Sequence, residues 1–116
     1  MANTFKLKTN DNMPATAGTP LTLYTCPGST TTIVLGLLLC NNDSSQRTVD
    51  VKIESDTSDT ETNATVFLTK DTPIPATSSL ELLAGNKIVL QATDVLKVDS
   101  DVAGKIDATL SIMEIT

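Results

Sequence analysis

Apolar and polar positions along this chain follow a two-residue period in several short segments. The stretch Thr30–Asn41, TTTIVLGLLLCN, departs from it, with both parities apolar. Ile33, Val34, Leu35, Leu37, Leu38, Leu39 and Cys40 make it the longest apolar run. It is far too short to cross a bilayer, which takes about 20 apolar residues. A strand of this kind is covered on both faces. Strict alternation places Ile33, Leu35, Leu37 and Leu39 towards the domain's own core. Val34, Leu38 and Cys40 then face the other way, against a second subunit or under the N-terminal segment. On this reading Leu38→Asp disrupts assembly and Leu37→Asp disrupts folding.

The remaining pattern predicts short strands. Phe5 and Leu7 alternate with Lys6 and Lys8, giving a one-faced strand or an ordered arm. Residues 10–20 are small, polar and Pro/Gly-punctuated, hence a loop. LTLYTC (21–26) is a strand, with Leu21 and Leu23 on one face and Tyr24 and Cys26 on the other; Pro27-Gly28-Ser29 is a turn. In Arg47–Ile53, Val49, Val51 and Ile53 face in and Thr48, Asp50 and Lys52 face out. Residues 54–63, ESDTSDTETN, are an acidic loop longer than a hairpin turn. Ala64–Leu68 is a strand. Two prolines bar 71–75 from a central strand, because each removes a ladder donor. Leu80–Leu83 and Lys87–Leu90 read as a hairpin about Ala84-Gly85-Asn86. Asp94–Val98 is a strand, and 99–104 is a turn. In 105–115 Ile106, Ala108, Leu110 and Ile112 share one face, after which Met113 and Ile115 take the apolar parity, as at a bulge or a covered outer face. Eight to nine short strands with turn signals at this spacing predict an all-β, antiparallel sandwich. Residues 1–19 form an N-terminal arm or edge strand plus loop, and 20–116 the sandwich domain.

Composition agrees. A chain of 116 residues holds one domain. Hydrophobic residues at 40% allow a core without staples, and aromatics at 3% mean that core is built from Leu, Ile and Val. Thr, abundant throughout, suits the solvent face of a sheet. The net charge of −6 and the lack of any cluster among the 8 basic residues argue against binding nucleic acid or an anionic membrane surface. Cys26 and Cys40 do not make a disulfide framework. If 21–26 and 33–41 form a hairpin they stand too far apart to pair; pairing would require the two strands to lie in facing sheets, and both are expected as free, buried thiols. The N-terminus lacks the apolar core of a secretory signal, so the Asn-x-Ser/Thr matches at Asn42 and Asn63 are read as chance.

The side-chain inventory points away from enzymology. With no His, the commonest general base and metal ligand are missing. Triads with His cannot form in one chain, and no Gly-rich phosphate loop is present. Carboxylates alone could serve a glycosidase, but three aromatics do not make a sugar cleft. Asp99-Ser100-Asp101 begins like an EF-hand loop, yet Leu110 stands where the bidentate Glu is required. Asp56, Asp59 and Glu61 fit a solvated acidic loop better than a cation site. No cofactor or structural metal is expected.

Three segments resemble a class of small tailed-bacteriophage virion proteins found among cyanobacterial and other marine phages. They are Tyr24–Pro27 with the threonines, apolar strand and Asn41-Asn42 that follow; Pro75–Leu82 leading into Ile88-Val89-Leu90; and Asp94–Ser100 with the final strand ending at Glu114-Ile115. One departure is Gln91-Ala92-Thr93-Asp94, where the class usually has Gly before the Asp. The resemblance covers roughly residues 20–116. It implies a jelly-roll-like or immunoglobulin-like sandwich in the virion, present in the host cytoplasm during assembly. The favoured role is a capsid decoration (cement) protein bridging subunits of the major capsid protein or another virion protein, commonly as a trimer. The alternatives are a neck, baseplate or tail-fibre adaptor, and a receptor- or carbohydrate-binding module. The implied subunit contacts fall on Phe5, Leu7, Val34, Leu38 and Cys40. The Phe5/Leu7 arm would reach a neighbour by strand addition, or else be an ordinary edge strand.

Overall fold

The computed structural model describes residues 2–14, 20–55, 63–83 and 85–116. These form nine strands and no helix: β1 (Asn3–Asn10), β2 (Leu21–Thr25), β3 (Thr31–Asn41), β4 (Arg47–Glu54), β5 (Val66–Ile74), β6 (Ser79–Glu81), β7 (Ile88–Leu90), β8 (Val95–Ser100) and β9 (Ile106–Ile115). Sheet A runs β1-β9-β3-β6, with β7 also on β3, and sheet B runs β2-β8-β4-β5. All pairs are antiparallel, and they nest: β1 with β9, β2 with β8, β3 with β6 and β7, β4 with β5. The chain is thus one long hairpin rolled up, and rolling adds the β3–β9 and β4–β8 ladders. That nesting is a jelly roll, not the immunoglobulin strand order. The core lies between the sheets, where alternate residues of β4, β8 and β9 meet Val34, Leu37 and Leu39 of β3.

Several sequence expectations change. Leu80–Leu83 and Lys87–Leu90 do not form a hairpin. β6 pairs with Leu38–Cys40 and β7 with Thr32–Val34, so they are two collinear pieces of one interrupted strand along β3. Leu82 N–H still donates to Leu37 O at 3.0 Å between them. β2 and β3 lie in opposite sheets, not in a hairpin. A bulge between Thr22 and Tyr24 turns both Leu23 and Tyr24 inward. β5 continues through Pro73, which is tolerated because β5 is a sheet edge. β1 takes the edge-strand alternative, paired with β9 over all 8 of its residues. The acidic stretch 56–62, with Asp56, Asp59 and Glu61, lies outside the described residues.

The apolar strand is corrected in the same way. A bulge between Val34 and Gly36 sets Leu35 and Gly36 together against Ser111, and the side-chain phase flips there. Val34, 1% exposed, is therefore core and not a subunit contact. Ile33 and Leu35 leave the core for the outer face, while Leu38 and Cys40 face outward as expected. Both cysteines are free, but only Cys26 is buried.

Two polar residues pin the ends of the roll. Asn41 is fully buried; its Nδ2 donates to Ser45 O (2.9 Å) and Ile74 O (3.0 Å), and its Oδ1 accepts from Asp43 N–H (2.9 Å). This ties the end of β3 to the end of β5. Thr93 adopts φ of 70°, a conformation costly for a β-branched residue. The turn holds because Thr93 N–H donates to Cys26 O at 2.9 Å and Asp94 Oδ2 accepts from Gln91 N–H at 2.9 Å.

Candidate assembly surface

The outer faces of the two sheets differ in chemistry. On sheet B, β4 and β8 turn Asp50, Lys52, Glu54, Lys97 and Asp99 outward. Lys52 and Lys97 lie directly opposite each other, an arrangement destabilising on its own. Glu54 resolves it by bridging both ammonium groups, at 3.2 Å and 3.0 Å, and they hold its carboxyl below the usual range. Beside them Lys70 Nζ sits 4.7 Å above the Phe67 ring. This surface is charged and internally paired, with Val66 and Phe67 exposed on its edge strand β5.

Sheet A presents the opposite. Ladder registers place Phe5 beside Met113, Met113 beside Ile33, and Ile33 beside Val89. Paired residues share a face, so these four side chains form one apolar row across β1, β9, β3 and β7. Phe5 is 71% exposed and Val89 59%. Leu7, Leu35 and Ile115 lie next to this row; Leu38, 40% exposed, and Cys40 share the face further along β3, beside Thr109, Asp107, Glu81 and Ser79. Scattered exposed apolar residues are ordinary; a contiguous apolar face marks an interaction surface. Of the residues named from the sequence, Phe5, Leu7, Leu38 and Cys40 share this outer face and Val34 does not. Ile33, Met113 and Val89, not named from the sequence, also lie on it. The phase change after Ile112 was the readable signal for Met113. It marks no bulge, since β9 alternates unbroken and Glu114 takes the next inward position.

Glu114 is a buried carboxylate, and both its oxygens are engaged. Lys6 Nζ lies 2.8 Å from Oε1, and the Tyr24 hydroxyl donates to Oε2 at 2.6 Å. Lys6 and then Tyr24 keep the Glu114 carboxyl below the usual glutamate range, despite burial. Burial, with Glu114 next to it, pushes the Tyr24 phenol far above its ordinary value. Thr32 and Cys26 complete the cluster, at 2.8 Å from Tyr24 Oη and 3.3 Å from Cys26 Sγ to the Thr32 hydroxyl. Burial likewise pushes the Cys26 thiol up, so it is a poor nucleophile. The network clamps edge strand β1 to β9 and to β2 of the other sheet. Beside it runs a cleft of about 470 Å³, lined by Lys6, Lys8, Thr22, Tyr24, Pro27 and Glu114. Among the described residues no group of three His, Cys, Asp or Glu could hold a metal ion.

No protein-family model and no curated protein matches this chain. Its fold does match solved structures. A chain from the crystal structure of the T13 IBDV viral particle superposes with a TM-score of 0.57 at 12% identity, over 97% of this chain and 30% of that one. One from infectious bursal disease virus, Gx strain, gives 0.54 at 13% identity, over 96% and 32%. A pentameric capsid protein from metagenomic phage sequences gives 0.38 at 17% identity over 91% and 59%, too low a score to establish a common fold. This chain therefore spans about a third of the length of the infectious bursal disease virus chains it matches, and what it shares with them is the jelly-roll fold.

Proposed function

We propose that this protein is a non-enzymatic structural component of a virion, a decoration (cement) protein of a tailed-phage capsid. In this role it forms a homo-oligomer, a trimer, and bridges subunits of the major capsid protein or a neighbouring virion protein. The observation that carries the reading is the asymmetry of the two sheets. A jelly roll with one charge-paired outer face and one apolar row from Phe5 to Val89 fits a protein that is covered on its sheet A side. The sharing of its fold with chains of a virus particle supports the setting. Mechanically, each copy buries a modest face, and repetition on a lattice makes the sum strong.

The test is cryo-EM of the purified particle, with copy number from quantitative mass spectrometry. A lattice's worth of copies on the head, with the sheet A face buried, is the expected result. A single ring's worth would place the protein at the neck, baseplate or tail fibre instead. Absence from the particle overturns the virion reading. Light scattering on the free protein at micromolar concentration tests the trimer, and a monomer there overturns it.

A further inference from the structure

β1 also presents a backbone edge that does not face β9. Ala2 and Thr116 exchange both backbone hydrogen bonds, at 3.3 Å and 3.0 Å. In an antiparallel ladder such pairs alternate with pairs that exchange none. The β1–β9 register is unbroken, so Thr4, Lys6, Lys8 and Asn10 also bond to β9. Asn3, Phe5, Leu7 and Thr9 therefore turn their N–H and C=O groups away from β9, to the free side. Among the described residues no backbone group pairs with them. An exposed 8-residue edge is a template for another strand.

The side chains specify what kind of strand. Residues added opposite Phe5 and Leu7 would extend the apolar row of sheet A. Residues added opposite Lys6 and Lys8 would point into the cleft beside Tyr24 and Glu114. Glu114 already neutralises Lys6, at 2.8 Å; no ion pair is formed by Lys8 among the described residues. An acidic side chain in the cleft complements that charge, whereas a second copy of β1 does not. Antiparallel self-pairing that overlaps Phe5 or Leu7 of each copy puts Lys6 opposite or diagonal to a lysine of the second copy, and like charges so placed are destabilising.

We propose that the free edge of β1 is a strand-acceptor site for an extended segment of a different protein, with apolar and acidic residues in alternation. This inference rests on the assembly role above only for the identity of that protein, another virion component; the site itself is testable on the isolated chain. The probe is a capped peptide alternating Val and Glu, matched to the 8 residues of β1, with a Val/Lys peptide as control. Amide hydrogen exchange is read by NMR. With free peptide at about ten times its Kd, exchange at the Phe5 and Leu7 amides slows about tenfold. The Thr4 and Lys6 amides, already bonded to β9, change little.

Leu7→Pro removes a free-edge donor without touching the β9 ladder and abolishes the effect. Lys8→Glu, which leaves the backbone intact, shifts the preference to the Val/Lys peptide and decides the matter if Leu7→Pro fails to fold. The proposal is overturned by unchanged Phe5 and Leu7 amides, by equal response to both peptides, or by an unaltered preference in Lys8→Glu. A peptide-free dimer dispersed by Leu7→Pro would assign the edge to a second copy and also overturn it. Failure on the isolated chain leaves the virion reading standing, and absence from the particle leaves the peptide result standing.

Discussion

Val34 and Leu38 have the same parity in the sequence but opposite environments in the fold, so the pair Val34→Asp and Leu38→Asp tests the bulge between them. Val34 is 1% exposed, packed between the sheets. Replacing it forfeits about 1.5–3 kcal/mol of apolar burial. It also puts a carboxylate where no partner stands, at a cost of several kcal/mol more. The sum rivals the roughly 5–15 kcal/mol that holds a domain folded. Leu38, at 40% exposure, loses roughly 1–2 kcal/mol. An Asp there also faces Glu81 across the ladder, adding at most about 1 kcal/mol. Far-UV circular dichroism with urea titration reads both. The expected result is an unfolded or barely folded Val34→Asp, and a folded Leu38→Asp with a midpoint lowered by about 1 M at a typical urea slope. A folded Val34→Asp with a near-native midpoint would refute the bulged register, as would Leu38→Asp unfolding outright.

Four further outcomes follow from the geometry. Thr93→Gly relieves a β-branched residue at φ of 70° and raises stability by about 1 kcal/mol in thermal melts; a lower melting temperature would contradict that strain. Tyr24 is the only tyrosine, so ultraviolet titration reads one phenol. It stays protonated through the ordinary range near pH 10, and a normal titration without unfolding would contradict its burial against Glu114. The lowered Glu114 carboxyl contributes stability that is present above the unfolded glutamate value, about 4.3, and is lost as pH falls through the lower folded value. Glu114→Gln should accordingly flatten the stability–pH slope below about pH 4.3, measured by urea midpoints, and an unchanged slope would count against the Lys6–Glu114–Tyr24 clamp. A disulfide-exchange reagent should label Cys40 quickly and Cys26 only after unfolding, and rapid labelling of both would show that the roll opens near β2.

Much of this protein is written in its two-residue periods. Val49, Val51 and Ile53, and Ile106 through Ile112, needed only alternation to be placed in the core, because a strand buried on one face admits no other register. The prolines at 73 and 75 excluded a central strand on hydrogen-bond grounds alone, and β5 is an edge. The outward placement of Phe5, Leu7, Leu38 and Cys40 was readable as well. Alternation failed wherever one extra residue entered a strand. At Thr22–Tyr24 nothing in residue type distinguishes the bulge from regular strand, whereas at Leu35–Gly36 the lone glycine inside the strand was the available signal.

The pairing partners were a tertiary decision. Leu80–Leu83 and Lys87–Leu90 satisfy the local rules of a hairpin, yet both bond to β3, whose long apolar edge offers more burial than the two short strands offer each other. The same holds for the assembly surface. Phe5, Ile33, Val89 and Met113 are spread from one end of the chain to the other, and only the rolling of the hairpin sets them in one row. Sequence determined that this is an all-β sandwich with a Leu/Ile/Val core and no equipment for His chemistry, since composition and period are local properties. Which face stays apolar, which backbone edge stays open, and where Glu114 finds Lys6 and Tyr24 depend on long-range register, and register exists only once the strands have met.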